Sequence, residues 1–251
     1  MDNIPNLIHY KIFEPYKNLF AFTTTKQTLT STNPRFTGDS NEIFSLNRKM
    51  LAEKIGIDQA QLVFPRQTHT DCVSAVSEIP ENEITETDAL VTPLNNICIC
   101  VQTADCVPIL LHEPTKKVIA VVHAGWRGTV KKILANTIQK MIVDYEASPH
   151  EIIAAIGPSI GPEIYEVGNE VVQSVKHAFP EYSELLKKKA SGKFHFNLWE
   201  ANRRILMENN VLPKNIETLE ECSFELNQKY FSARKEGVET GRMVSGIMLK
   251  F

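Results

Sequence analysis

Two nearly uninterrupted apolar segments in the middle of the chain constrain its fold more than any other feature. Residues 97–111 read ICICVQTADCVPILL, and residues 117–123 read KVIAVVH. Continuous runs of β-branched and other apolar residues are typical of strands buried on both faces, because a half-exposed strand would alternate apolar with polar residues. Polar residues at 103–106 and a proline at 108 interrupt the first run, so it predicts two short strands or one strand with a break. These strands must be covered on both sides.

The segment 41–55 has the periodicity of an amphipathic helix that could supply such a cover. Asp39 or Ser40 could cap its N-terminus, and Gly56 could end it. The apolar residues at helical spacing are Ile43, Leu46, Met50, Leu51 and Ile55.

A turn and a second helix follow the second apolar segment. The turn spans residues 125–128, and Thr129 is the predicted cap of a helix that runs to Tyr145. The later elements are predicted as a strand at 151–156, helices at 169–179 and 198–209, and a strand at 242–251. Because no repeat or linker divides the chain, we predict one α+β domain over residues 1–251, with mixed β-sheets.

Composition and charge exclude several classes of function. The chain has 251 residues, of which 43% are hydrophobic and 23% are charged, and its formal charge is -3. A charge so close to balance provides no basic field, so we expect neither nucleic acid nor a membrane as a partner. No apolar run could span a bilayer, the N-terminus resembles no secretory signal, and an odd number of cysteines, five, favours reduced thiols. We therefore expect a cytoplasmic protein. The sequence does not predict its oligomeric state.

Three residues at the edges of apolar runs predict a metal site. They are His69 in Gln-Thr-His-Thr-Asp, Cys106 in Thr-Ala-Asp-Cys, and His123 in His-Ala-Gly-Trp-Arg-Gly-Thr. Two imidazoles and a thiolate suit a borderline-soft divalent ion such as zinc, and three protein ligands leave a fourth tetrahedral position for water or substrate. His112, at the end of the next strand, is a reserve ligand. Alternatively, each histidine is a hydrogen-bonded core residue.

Residues beside these ligands could take part in catalysis. Asp105 could act as a general acid or base, or it could orient a ligand histidine by accepting its other ring N–H. It could also be a turn aspartate that bonds nearby backbone. The glycines of the turn at 125–128, together with Arg127, could bind an anion at the start of the helix, although tight packing would explain these glycines equally well.

Five motifs, in this order, resemble the polyphenol oxidase "laccase domain" family, also described as purine nucleoside phosphorylases of the YfiH, YlmD and FAMIN type. The resemblance covers essentially the whole chain. The motifs are Gln67-Thr-His-Thr, Thr103-Ala-Asp-Cys-Val-Pro, His123-Ala-Gly-Trp-Arg-Gly-Thr, Ile156-Gly-Pro-Ser-Ile-Gly-Pro with Tyr165-Glu-Val-Gly, and Thr240-Gly-Arg-Met.

The resemblance implies a fold, a metal and an activity. The fold would be similar to cysteine-hydrolase-like α+β proteins, with mixed sheets in an αββα arrangement, and zinc would be bound by the positions of His69, Cys106 and His123. The implied reactions are phosphorolysis of adenosine, inosine and methylthioadenosine to the free base and ribose 1-phosphate, and deamination of adenosine. The predicted substrate-binding residues are Asn33, Arg48 and Gln67.

These reactions can be matched to residues. For deamination, a metal would activate water while Asp105 moves protons, and Asp105, Cys106 and Arg127 are the predicted catalytic residues. For phosphorolysis, Arg127, Arg48 and the predicted helix start at 128–129 would bind phosphate. No residue is assigned to protonate the leaving purine, and the preferred nucleoside stays open.

Three alternatives differ in class. A copper-dependent polyphenol oxidase is disfavoured because multicopper oxidases use His-x-His pairs, and none occurs among the seven histidines. A cysteine hydrolase would use Cys106 as the nucleophile and His123 as the base. A non-catalytic nucleoside-binding module would act through a partner and would show no turnover.

Overall fold

The two apolar segments lie in two different β-sheets. The computed structural model describes residues 4–38 and 41–250. The first sheet has five strands in the order β1, β2, β14, β6, β3, where β3 and β6 are parallel and the other pairs are antiparallel. These strands are β1 Leu7–Ile8, β2 Leu19–Thr24, β3 Leu62–Val63, β6 Cys98–Thr103 and β14 Met243–Leu249.

The second sheet has six strands in the order β13, β9, β7, β8, β5, β4. Its two outer pairs are parallel and its three inner pairs are antiparallel, so the sheet is mixed, as predicted. Its strands are β4 Val73–Ala75, β5 Ala89–Thr92, β7 Val107–Glu113, β8 Val118–Ala124, β9 Ile153–Ile156 and β13 Ile216–Thr218. A small antiparallel sheet contains β10 Glu166–Val167, β11 Leu186–Lys188 and β12 Phe194–Phe196.

The helices cover the outer faces of the two main sheets. Alternate side chains of β7 explain this arrangement, because Leu110 faces the first sheet while Ile109 and Leu111 face helices. The order of layers is therefore helix, sheet, sheet, helix. The helices are α1 Asn41–Ile55, α2 Trp126–Val130, α3 Ile133–Tyr145, α4 Asn169–Ala178, α5 Leu198–Glu208 and α6 Ala233–Glu236. Helix α1 packs on the first sheet, whereas α3, α4 and α5 pack on the second.

The break in the first apolar run is where the chain passes between the sheets. Strand β6 belongs to the first sheet and β7 to the second, and the connection is Ala104–Asp105–Cys106. The run therefore forms two separate strands, the first of the two predicted alternatives. Asp105 in the connection has a φ of 86°, in the left-handed region that non-glycine residues seldom enter. The apolar pattern predicted the strands but not their separation into two sheets.

The predicted helix after the second apolar segment begins earlier and is divided. Gly125, with φ −70° and ψ 173°, is the N-cap of the five-residue helix α2, so Thr129 lies inside a helix and does not cap one. The chain then turns at Lys132, whose φ is 64°, before α3 begins. The prediction of a helix start at 128–129 was therefore wrong.

Helix α1 has the predicted bounds, but its apolar face is only partly buried. Leu51 and Ile55 pack against the first sheet, whereas Ile43 and Leu46 are 60% and 59% exposed. Gly56 follows the helix with a φ of 74°. The predicted caps Asp39 and Ser40 lie outside the described residues. No helix in the described part of the chain has both the length and the apolar content needed to cross a membrane.

Candidate metal centre and active-site cavity

The side chains of His69, Cys106 and His123 converge on one point. Their candidate ligand atoms all lie within 4.8 Å of one another, and Cys106 Sγ is 3.8 Å from His69 Nε2. Tetrahedral zinc would hold sulfur and nitrogen ligands roughly 3.4–3.6 Å apart, as follows from metal–ligand bonds of about 2.3 Å and 2.0–2.1 Å. The separation of Cys106 Sγ and His69 Nε2 is thus slightly longer than the sulfur–nitrogen distance in a zinc site. The cluster is the one group of three or more candidate ligands found among the described residues.

The cluster is built at the ends of strands. His123 is the penultimate residue of β8, and Cys106 directly precedes β7, its antiparallel neighbour. His69 lies in the loop between β3 and β4 and has a φ of 61°. Because two of the three side chains are attached to a buried sheet, their separation is fixed by strand pairing, and only the His69 loop needs a further anchor.

Asp88 supplies that anchor. Its carboxylate accepts hydrogen bonds from three successive backbone N–H groups, those of Thr68 at 3.2 Å, His69 at 3.1 Å and Thr70 at 2.7 Å, and from the Thr70 hydroxyl at 2.8 Å. The same carboxylate lies 2.7 Å from Nδ1 of His123. Asp88 is fully buried, and it therefore fixes the His69 loop and orients the His123 ring at once.

The charges within the cluster shift three pKa values. Burial would raise the pKa of the Cys106 thiol, but the charge of His123 and hydrogen bonds to both imidazoles lower it to about 6. Burial would lower the pKa of His123, but the Cys106 thiolate and Asp88 raise it to about 9. Burial would raise the pKa of Asp88, but hydrogen bonds from His123 and Thr70 lower it to about 2. The thiolate, which is the form of cysteine that binds metals, is thus favoured near neutral pH.

Gly125 leaves the room in which the cluster fits. A Cβ atom at this position would lie 3.0 Å from Cys106 Sγ and 3.1 Å from Cδ2 of His69. Only a residue without a side chain leaves both ligands undisturbed here. The donor set, its spacing and this free space together fit a divalent metal ion.

Gly125→Ala is expected to weaken zinc binding by about 10-fold or more, because the new methyl group displaces two ligand side chains, and metal affinity is sensitive to ligand orientation. Affinity can be measured by competition with a chromophoric chelator. Gly168→Ala is the matched control, since Gly168 is also an N-cap with nearly the same backbone angles, φ −78° and ψ 173°, and its added Cβ would meet nothing within 4 Å. Equal zinc affinity in both variants would contradict this account of Gly125.

The cluster opens into a cavity of about 490 Å³ between the two main sheets and the loops around them. The second sheet and the loop before it contribute the three metal-ligand candidates. Other parts of the chain contribute Gln67, Gln102, Thr103, Ile160, Tyr165, Arg234 and Arg242. A cavity of about 540 Å³ elsewhere, beside α5, contains none of the candidate ligands. Only the former combines a volume suited to a small molecule with groups that can do chemistry.

Two predicted site residues line this cavity but are also held by backbone groups. Asp105, 9% exposed, accepts hydrogen bonds from the Ser223 hydroxyl at 2.6 Å and from the backbone N–H of Arg234 at 2.7 Å. The amide of Gln67 donates to the carbonyl of Gln102 and accepts from its N–H, both at 2.8 Å. Gln67 thereby attaches the His69 loop to the end of β6, in the first sheet. The carboxylate of Asp105 is bonded to Ser223 and Arg234 and does not orient either histidine. Asp88 is the carboxylate that bonds the His123 ring and the backbone of His69.

Other predicted residues lie away from the cavity. Arg127 is exposed, stacks on Trp126 with its Cζ 4.2 Å from the ring centroid, and pairs with Glu170 at 3.4 Å. Arg48 is paired with Glu83 and donates to the carbonyl of Phe36. Asn33 is exposed and is not part of the cavity wall.

The reserve ligand His112 is also remote from the cluster. It is buried on β7 with Nδ1 3.4 Å from the carbonyl of Val118 and its ring against Tyr16, and burial lowers its pKa to about 4. It is therefore a core histidine.

Four residues of this site have no predicted role in the sequence. Asp88 comes directly before the buried strand β5, and an acidic residue at the edge of an apolar run was the available signal. Arg242 and Tyr165 stand within motifs that were recognised, but no role was given to them. Arg234 belongs to none of the motifs and has no distinguishing sequence signal.

Comparison with known proteins identifies the family of this chain. A family described as multi-copper polyphenol oxidoreductase laccase matches residues 22–250. A purine nucleoside phosphorylase of Bacteroides thetaiotaomicron is 34% identical over 97% of this chain and 96% of its own length. A protein named adenosine deaminase RL5, from an unknown prokaryotic organism, is 41% identical over 81% of this chain and 80% of its own.

The fold has solved counterparts as well. The crystal structure of the Bacillus licheniformis protein YfiH superimposes with a TM-score of 0.89 at 27% identity, covering 98% of this chain and 97% of that one. The chain is thus a single-domain protein of mixed α and β content with several sheets. It belongs to the laccase-domain family, which includes proteins named purine nucleoside phosphorylase and adenosine deaminase.

Proposed function

We propose that this protein is a zinc-dependent enzyme of purine nucleosides. It would cleave adenosine, inosine and methylthioadenosine with phosphate, giving the free base and ribose 1-phosphate, and it would also deaminate adenosine. The observation that carries the proposal is the His69, Cys106 and His123 cluster at the wall of a cavity of about 490 Å³, in a chain whose relatives bear the names of both activities. The five free cysteines suit the reducing cytoplasm, where we place the protein.

Zinc is the preferred ion because of the donor set. Two imidazoles and one thiolate form a mononuclear site, whereas multicopper oxidases need several copper sites with His-x-His pairs, which this sequence lacks. When bound, the ion supplies a Lewis acid beside the substrate and lowers the pKa of water in contact with it. Copper remains the less favoured metal, and metal analysis of the purified protein distinguishes the two.

The cavity residues can be given roles in binding and proton transfer. Tyr165 is the aromatic side chain of the cavity wall and provides a ring face on which a purine can stack. Burial raises the pKa of its hydroxyl, which therefore stays protonated and can donate a hydrogen bond. Asp105, fixed by Ser223 and the backbone of Arg234, lies beside Cys106 and can accept a proton in deamination. Tyr165 and Asp105 are the candidates for proton exchange with the base.

The test is an assay of protein with a defined metal content. Zinc-loaded and metal-depleted protein are incubated with adenosine and with inosine, each with and without phosphate. We expect inosine to give hypoxanthine only when phosphate is present, adenosine to give inosine without phosphate, and both reactions to require the metal. Absence of all turnover in zinc-loaded protein would contradict an enzyme and leave the nucleoside-binding module, which calorimetry with adenosine would detect.

A second candidate function has an observation in its favour. Cys106, His123 and Asp88 stand in the order nucleophile, base and orienting carboxylate of a cysteine hydrolase. This reading requires a free Cys106 thiolate and gives no role to His69. About one zinc ion per chain in the purified protein, or dependence of activity on His69, would exclude it.

A further inference from the structure

Two arginine side chains that no prediction assigned line the same cavity as the metal cluster. Arg234 lies on α6, and Arg242 directly precedes β14. Although they are eight positions apart in the chain, they reach one cavity, because the segment between them turns back along its wall, where Val238 lies. One wall of the cavity thus contains the candidate metal ligands, and another part of the wall contains the two arginines.

Neither guanidinium group has a carboxylate partner within the described residues. Arg234 donates from both terminal nitrogens to the carbonyl of Glu166, at 3.2 Å each, and Arg242 donates to the carbonyls of Val238, Thr240 and Gly241. By contrast, five arginines outside the cavity pair with acidic side chains. They are Arg35, Arg48, Arg127, Arg203 and Arg204. The bonds of Arg234 and Arg242 fix the two groups but do not neutralise them.

The charged groups in and beside the cavity sum to one net positive charge once a divalent metal is bound. A divalent ion with the Cys106 thiolate and the carboxylates of Asp88 and Asp105 carries one net negative charge, which the two guanidinium groups more than balance. Burial and the neighbouring Arg35 lower the pKa of Arg242. The charged form of Arg242 is therefore destabilised, and a bound anion would stabilise it. The buried Thr103 hydroxyl in the same wall has no hydrogen-bond partner among the residues that the structure describes, and it is a further donor.

We propose that Arg234 and Arg242 form the binding site for a phosphate group, with the Thr103 hydroxyl as an additional donor. This inference rests on the proposed function and replaces the earlier assignment of phosphate to Arg127 and Arg48. Guanidinium groups bind phosphate oxygens through paired hydrogen bonds that fix its orientation. The phosphate group is either inorganic phosphate, the second substrate of phosphorolysis, or the ester group of a nucleoside monophosphate.

Direct binding tests the site without relying on turnover. Inorganic phosphate is titrated into zinc-loaded protein by calorimetry in phosphate-free buffer. We expect Arg234→Gln to weaken its binding by about 10- to 100-fold, the effect of losing a charge-assisted pair of hydrogen bonds, and Arg234→Lys to weaken it less. Arg242→Gln should have a similar effect. Because Arg242 also donates to three backbone carbonyls, its loss could destabilise the fold. Arg234 is exposed, so Arg234→Gln tests phosphate binding in a protein that should still fold. Arg203→Gln, on the outer face of α5, is the control.

Two further measurements identify the source of the phosphate group and separate this inference from the proposed function. If inorganic phosphate is the ligand, Arg234→Gln raises the KM for phosphate in inosine cleavage by a similar factor and leaves the zinc content unchanged. If an ester is the ligand, the variant instead loses the preference for inosine 5′-monophosphate over inosine. Phosphate binding without any turnover would contradict the proposed function alone. Unchanged affinity for both ligands in the arginine variants would overturn the site.

Discussion

His69→Ala is expected to release the bound metal and to abolish turnover of adenosine and inosine. The remaining candidate ligands, Cys106 and His123, leave a divalent ion with two protein ligands instead of three. We expect zinc affinity to fall by more than about 100-fold, since loss of an outer hydrogen-bond partner alone costs about 10- to 100-fold. Zinc content after dialysis and the rates of base release and deamination are the measurements.

The fold should survive this substitution, because His69 lies on an exposed loop whose backbone is fixed by Asp88. The thermal unfolding midpoint of the metal-free variant should match that of the metal-free parent protein. His177→Ala is the control, since His177 is an exposed histidine on α4 outside the cluster. Full activity in His69→Ala would exclude the metal-dependent enzyme and favour the cysteine hydrolase, whose triad of Cys106, His123 and Asp88 omits His69.

Asp88→Asn is expected to lower both zinc affinity and stability. An amide cannot accept all the hydrogen bonds that the carboxylate accepts from Thr68, His69 and Thr70, and each buried donor left without a partner costs about 1–3 kcal/mol. The free energy of unfolding should therefore fall by about 2–5 kcal/mol. Zinc affinity should fall by about 10- to 100-fold, because His123 loses the carboxylate that orients it.

Chemical denaturation of the metal-free protein and chelator competition measure these two effects separately. Asp71→Asn is the control, since Asp71 is a nearby aspartate whose side chain forms an ion pair with Lys131, at 3.6 Å. Such a partly exposed pair contributes at most about 1 kcal/mol. Stability and zinc affinity of Asp88→Asn equal to those of the parent protein would show that neither the His69 loop nor His123 depends on this carboxylate.

The sequence predicted the buried strands and the three ligand candidates, for a physical reason that also explains what it missed. Apolar runs predict burial, and functional groups at their edges are carried to a common end of a sheet, as with Cys106 and His123. The pattern does not say which sheet a strand joins, so the passage of the chain between sheets at 104–106 became visible only in the structure. Asp88 was missed because a single carboxylate before a strand has no periodic signal.

Arg127 lies outside the cavity wall for a different reason. It stands two residues from Gly125, which touches the cluster, so nearness in sequence favoured it as an anion-binding residue. Helix α2, however, begins at Trp126 rather than after the turn, and Arg127 lies against Trp126 on the surface, whereas the distant Arg234 and Arg242 reach the cavity. A shift of three residues in a helix start moves a side chain by most of a turn, and boundaries are the least certain part of sequence-based prediction.

The passage of the chain between the two sheets at 104–106 divides the site into halves that can evolve separately. His123, Cys106 and the anchor Asp88 are all attached to strands of the second sheet, whereas Gln102, Thr103 and Arg242 stand at strand ends of the first. Substitutions in the first sheet can therefore reshape the surroundings of a ligand while the metal ligands keep their spacing. Such an arrangement lets one ancestral scaffold give rise to descendants with different preferred substrates, which accords with the two activities named among the relatives of this chain.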